Sequence, residues 1–151
     1  MVANRIEAHL TEEDQQAVLD ALAEIRERLP FLLNLTAEER QALPKMGERS
    51  RSFVDEALAL ARDNPDLIPD DFDLEDLEED IALYDGLQPI LFAVMQLEDL
   101  LLSSAVAASS DAYSAALEIY ERAKDAGQGE VLEDRLSEIE EAAKRSGGSP
   151  A

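Results

Sequence analysis

The chain has 151 residues, no cysteine and a formal net charge of −22, from 35 acidic and 13 basic residues. This length predicts one domain, and the lack of cysteine excludes disulfides and thiolate metal sites. Because a surface this acidic repels nucleic acids and anionic lipids, we expect neither a nucleic acid nor a membrane as partner.

Two features predict a cytoplasmic protein. The first ten residues, MVANRIEAHL, lack the apolar core of a signal peptide. The most apolar window, 90–109, carries Glu98 and Asp99 near its middle, and a lipid-facing helix does not tolerate two such charges. The acid-rich, lysine-poor composition indicates either a salty cytoplasm, where screening removes the repulsion, or an ordinary acidic helical protein. The sequence leaves both interpretations open.

The first half of the chain predicts helices separated by proline and glycine. Thr11 is an N-cap for a first helix that ends at Leu29-Pro30, and an apolar connector, FLLNL, follows. Thr36 and Glu39 form a capping box that opens a short helical turn near 37–43. A second helix is expected from about Glu48 to Asn64, burying Phe53, Val54, Ala57, Leu58 and Ala61.

The second half predicts a long central helix. Asp73 caps it, a near-heptad apolar stripe runs from Leu74 to Leu101, and Pro89 predicts a kink. We expect Ser109-Ser110-Asp111 to end this helix and to cap a fourth helix over 111–126. A C-terminal helix is expected over about 130–145.

These segments predict an all-α, four-helix-bundle-like fold with a long kinked central helix and an extra C-terminal helix. The predicted organisation is a flexible N-terminus, 1–10, one helical bundle domain, 11–145, and a disordered tail, 146–151.

The run LPFLLNLTAEERQALPKMGERSRSFVDEALALARDNPDLIP, with the long helix and DAYSAALEIY after it, resembles a family of small all-helical bacterial proteins of unassigned function. The resemblance covers roughly residues 29–126 and is most specific around Leu43–Gly47. It implies a helical fold and a bacterial source. It carries no activity, so no functional residue is transferred.

Signals of catalysis are weak. His9 is the only histidine and lies outside the predicted helices, so no serine has an activating base. The Asp71-x-Asp73-x-Glu75 spacing resembles the start of a calcium loop but lacks its glycine and its final glutamate. We therefore expect no enzyme, no cofactor and no metal.

Two surfaces are candidates for binding. A basic cluster, defined as Lys45, Gly47, Arg49 and Arg51, lies at the start of the second predicted helix. It could hold a small phosphate-type anion on free N–H groups, or its cations could pair with acids of the same chain, as Arg51 with Asp55.

The other surface is the segment 87–108, which is apolar nearly all round. It lies either inside the fold or against another chain. We predict a homo-oligomeric structural or adaptor protein, with self-association through the residues Phe92, Met95, Leu100 and Leu102. A small-anion binder is the alternative.

Overall fold

A computed structural model describes residues 4–146 and shows an all-α fold with no strand among them. Five α-helices follow one another in the order α1 (Glu12–Arg28), α2 (Ala37–Ala42), α3 (Glu48–Asp63), α4 (Leu74–Asp125) and α5 (Gly129–Ser146). A 3₁₀ turn, Pro65–Leu67, joins α3 to α4. Of the predicted tail, only Ser146 lies within the described residues.

The predicted helix starts in the first half are confirmed, because the capping hydrogen bonds are present. The Asp14 N–H donates to Oγ1 of Thr11 at 3.0 Å, which caps α1. In the capping box of α2, the Glu39 N–H donates to Oγ1 of Thr36 at 3.1 Å, and the Thr36 N–H donates to Oε2 of Glu39 at 2.7 Å. Such caps satisfy the N–H groups that a first helical turn leaves free.

The predicted break at Ser109-Ser110-Asp111 is wrong. One helix, α4, runs from Leu74 to Asp125 through all three residues. Neither proline nor glycine occurs there, and a helix that has already formed extends easily through residues of modest propensity. Because α4 also continues through Pro89, the kink expected there stays a prediction.

The carboxylate of Asp111 has a different role from the predicted cap. Its Oδ2 accepts the N–H groups of Arg5 and Ile6, at 2.7 and 3.1 Å. The N-terminal segment is therefore held to α4 at this point.

The chain divides into two compact units. The first unit is Leu10–Met95; the second contains the segment up to His9 together with Gln96 and the residues that follow it. In the first unit, an ion pair between Arg62 and Glu78 joins α3 to α4. The Tyr84 hydroxyl of α4 donates a hydrogen bond of 3.2 Å to the carbonyl of Met46, two residues before α3 begins. In the second unit, the Tyr120 hydroxyl donates to Glu133 of α5 at 2.5 Å.

The predicted burial along α3 is met only at Leu58, which is the one buried apolar side chain among the described residues. Phe53 is 70% exposed. The chain exposes 13,580 Å². A globular protein of 16.6 kDa exposes about 7,600 Å², and even two separate globular bodies would expose only about 9,100 Å². Much apolar helix surface is therefore uncovered.

Candidate functional site

The basic cluster lies where α3 begins. Gly47 is the N-cap residue and offers no side chain to the free N–H groups of the first turn. A Cβ added at Gly47 would meet nothing within 4 Å, so the approach to these groups is open. This much of the geometry suits an anion.

One cation of the basic cluster, Arg51, is already paired with carboxylates of the same chain. The Arg51 guanidinium donates to both carboxylate oxygens of Asp85 on α4, at 2.9 and 2.6 Å, and to Asp55 at 2.5 Å. The Arg51 side chain is only 22% exposed. A bidentate arginine–carboxylate pair is geometrically specific, so Arg51 fastens α3 to α4 within the first unit.

The same contacts move two pKa values in opposite directions. The hydrogen bonds from Asp85 and Asp55 raise the pKa of Arg51 above its ordinary value. The hydrogen bond from Arg51 lowers the pKa of Asp85, against a smaller opposing effect of burial. Both shifts favour the charged forms that make the pair.

The other two cations of the cluster lie apart from this pair. The Lys45 ammonium donates to the Leu43 carbonyl at 3.3 Å. No carboxylate of the described residues lies within ion-pair distance of Arg49. The structure thus brings Arg51 to the internal acids Asp55 and Asp85, and leaves Lys45 and Arg49 beside the uncapped start of α3.

The four residues predicted for self-association lie exposed along the middle of α4. Phe92, Met95, Leu100 and Leu102 are each between 57% and 65% exposed. The side chains of Ile90, Val94, Leu97 and Leu101 on the same helix are exposed too. Exposed apolar surface on this scale is rare on monomers and marks interaction sites.

An 18-residue apolar window of α4, none of it buried, is long and apolar enough to cross a membrane. One such helix is weak evidence for a membrane span, because the criterion rests on length and composition only.

An open apolar groove in the first unit was not predicted from the sequence. Leu29 and Phe31, from the end of α1 and the connector after it, lie along the face of α4 that carries Leu83, Gly86 and Ile90. The groove has a volume of about 240 Å³. The apolar connector FLLNL was the one sequence signal for it, but connector residues show no periodicity that assigns them to a helix face.

A scan of protein-family models, a search of curated proteins and a search of solved structures each found no match to this chain. The resemblance to the bacterial helical family therefore stays a prediction.

Proposed function

We propose that this protein acts by binding, as a homo-oligomeric structural or adaptor protein of the cytoplasm. The contact is made through the apolar middle of α4, where Phe92, Met95, Leu100 and Leu102 are the predicted interface residues. The observation that carries the proposal is the exposure of all four side chains to solvent.

The energetics of burial support self-association. Covering one large aliphatic or aromatic side chain contributes about 1.5–3 kcal/mol. Four such side chains already approach the free energy of a stable complex, before the cost of immobilising two molecules is subtracted. A second copy is always available to supply a matching apolar surface.

Charge argues against the other common partners. With a net charge of −22, the chain repels phosphate backbones and anionic lipid headgroups at long range. Glu98 and Asp99 lie inside the apolar window of α4, and both would have to enter lipid if it spanned a membrane. We propose neither a nucleic acid nor a membrane as partner, and no enzymatic activity.

A small-anion binder is the second proposal, favoured by one observation, the uncapped start of α3 at Gly47 beside Lys45 and Arg49. It has less support than self-association because Arg51, its fourth residue, is already paired with Asp55 and Asp85.

Light scattering on the full chain tests the first proposal. In molar potassium chloride, where repulsion is screened, we expect a mass at least twice 16.6 kDa. Flotation with zwitterionic and with anionic vesicles, at the same protein concentration, should leave the protein in the unbound fraction. A mass of one chain at every concentration, or recovery with the vesicles, would overturn the proposal.

A further inference from the structure

One face of α4 in the second unit is covered by the chain itself. Ala107, Asp111 and Ser114 are half-buried, whereas the residues between them along the helix are exposed. At about 100° per residue, spacings of four and three keep these three residues within about 60° of one another. They therefore form one narrow face of the helix, named here the covered face.

Residues 4–9, named here the strap, lie over the covered face. Oδ2 of Asp111 accepts the N–H groups of Arg5 and Ile6, at 2.7 and 3.1 Å. Arg5 also lies beside Ala107, in a shallow depression of the surface. Hydrogen bonds to a carboxylate are stronger than those between two neutral groups, so the carboxylate of Asp111 is the main attachment of the strap.

Short side chains let the backbone of the strap approach the helix. The covered face has alanine at 107 and serine at 114, on either side of Asp111. Long side chains at these two positions would hold a backbone beyond hydrogen-bonding distance of the carboxylate. The small residues therefore allow two neighbouring N–H groups to reach one carboxylate oxygen.

The rest of the strap is attached weakly. Ile6 is its one half-buried residue, and the others are exposed. Asn4 donates a hydrogen bond of 3.3 Å to Glu7, which is a contact within the strap and does not hold it to α4. A terminal segment that is held at one point and buries little surface opens more easily than the helix beneath it.

We infer that the strap opens and closes over α4, with the carboxylate of Asp111 as its latch. In the closed state the strap shields Ala107 and Ser114. In the open state α4 stays helical and the covered face becomes accessible to other molecules, so the strap controls access to this face. The strap does not depend on the proposed self-association, because the strap and the covered face belong to one chain, and a single-chain mass would leave it standing.

Limited digestion of the full chain with trypsin tests the strap. Trypsin cuts after arginine, and the bond between Arg5 and Ile6 carries one of the two N–H groups that Asp111 holds. In the parent, this bond should be cut more slowly than in a synthetic peptide of residues 1–10, because the closed strap withholds it from the protease. It should be cut faster than the bond after Arg122 in α4, because the strap opens while the helix stays formed.

Variants of the latch should change this rate. Asp111→Ala should raise the rate of cleavage after Arg5 about tenfold or more, since the strap loses both hydrogen bonds to a charged group. Asp111→Asn keeps a neutral acceptor and should give an intermediate rate. The matched control, Asp99→Ala, removes an exposed carboxylate from the same helix and should leave the rate at the parent's value. Circular dichroism checks that each variant keeps its helices.

Two results of the digestion would overturn the inference. Equal rates of cleavage after Arg5 in the parent and in Asp111→Ala would show that Asp111 does not hold the strap. Equal rates after Arg5 and after Arg122 in the parent, rising together as urea is added, would show that the strap is freed only when α4 unfolds.

Hydrogen exchange of the parent decides the question without any variant. The N–H groups of Arg5 and Ile6 should exchange more slowly than that of Glu7, because the latch protects them, and more quickly than those inside α4. Exchange as fast as that of Glu7 would exclude the latch. Exchange as slow as that of the N–H groups inside α4 would exclude an opening of the strap alone.

Discussion

Arg51 shows how one residue of a basic cluster can serve the fold. It lies in the first turn of α3, where a cation opposes the helix dipole. The two carboxylates that surround it, from Asp55 one turn on and from Asp85 on α4, compensate for that position. The i,i+4 partner could be read from the sequence. Asp85, 34 residues away, could not be, because the chain holds 35 acidic residues with no pattern that selects one.

Replacing Arg51 by Gln should lower the melting temperature measured by circular dichroism, since Asp55 and Asp85 lose their shared partner. The matched control is Arg49→Gln, which removes a nearby positive charge without removing an ion pair of the described residues. We expect the control to melt close to the parent. Equal melting of all three proteins would remove the fastening role of Arg51.

The same comparison bears on the small-anion proposal. If Lys45, Gly47 and Arg49 hold a phosphate-type anion, phosphate should raise the melting temperature of the parent above that in chloride at equal ionic strength. Arg49→Gln should lose that difference. A parent that responds equally to both salts would exclude the small-anion proposal.

Asp85 should give the fold an acid-sensitive component. Its pKa is lowered in the folded chain by the hydrogen bond from Arg51, so its contribution is present above the ordinary carboxyl pKa and is lost as the pH falls through the lowered value. Asp85→Asn should therefore melt below the parent at pH 7, and the difference should narrow as the pH falls through the lowered pKa of Asp85. Asp80→Asn, on the same helix, removes no ion pair of the described residues and should change melting less. A difference in melting temperature between the parent and Asp85→Asn that does not narrow as the pH falls below the ordinary carboxyl pKa would contradict this account.

At the scale of elements, local signals predicted most of the helices. Thr11 and the Thr36–Glu39 box predicted the starts of α1 and α2, and Pro30 predicted the end of α1, because caps and prolines act within a few residues. The break at Ser109-Ser110-Asp111 was predicted from residues that favour caps but do not forbid a helix. Whether such residues cap or continue depends on what the carboxylate of Asp111 contacts, and Arg5 and Ile6 lie more than a hundred residues earlier.

Replacing Ser109 and Ser110 by alanine distinguishes a continuous helix from a break. Inside a helix, each change to alanine should stabilise by up to about 0.5 kcal/mol, since alanine has the higher helix propensity. At an N-cap the same change would instead cost about 0.5–2 kcal/mol. Urea unfolding followed by circular dichroism reads the sign. Thr36→Ala, at the N-cap of α2, serves as the control that should destabilise.

At the scale of the whole molecule, the sequence predicted the all-α class and a segment of α4, 87–108, that is apolar on nearly all sides. It did not predict the groove formed by Leu29, Phe31 and Gly86, because that contact joins residues more than fifty positions apart. The covering of an apolar helix face depends on such distant contacts, and no periodicity in the chain encodes them.

The net charge makes both folding and self-association of the whole molecule dependent on salt. A charge of −22 opposes both folding and the approach of a second copy, and added salt screens this repulsion. The melting temperature should therefore rise steadily from low to molar potassium chloride, and the mean mass should rise with it. A melting temperature that does not respond to salt would remove the interpretation of the acidic composition as an adaptation to a salty cytoplasm.

The central claim is that a second copy covers the apolar face of α4. The most direct test is the dependence of the melting temperature on protein concentration in molar potassium chloride, because an oligomer that dissociates as it unfolds is stabilised by mass action. We predict a melting temperature that rises over a hundredfold increase in concentration for the parent. The rise should be lost in Met95→Asp, which places a charge among the predicted interface residues, and retained in Asp80→Asn, which removes a charge outside them. A parent melting temperature that is independent of concentration, together with a single-chain mass, would contradict the account.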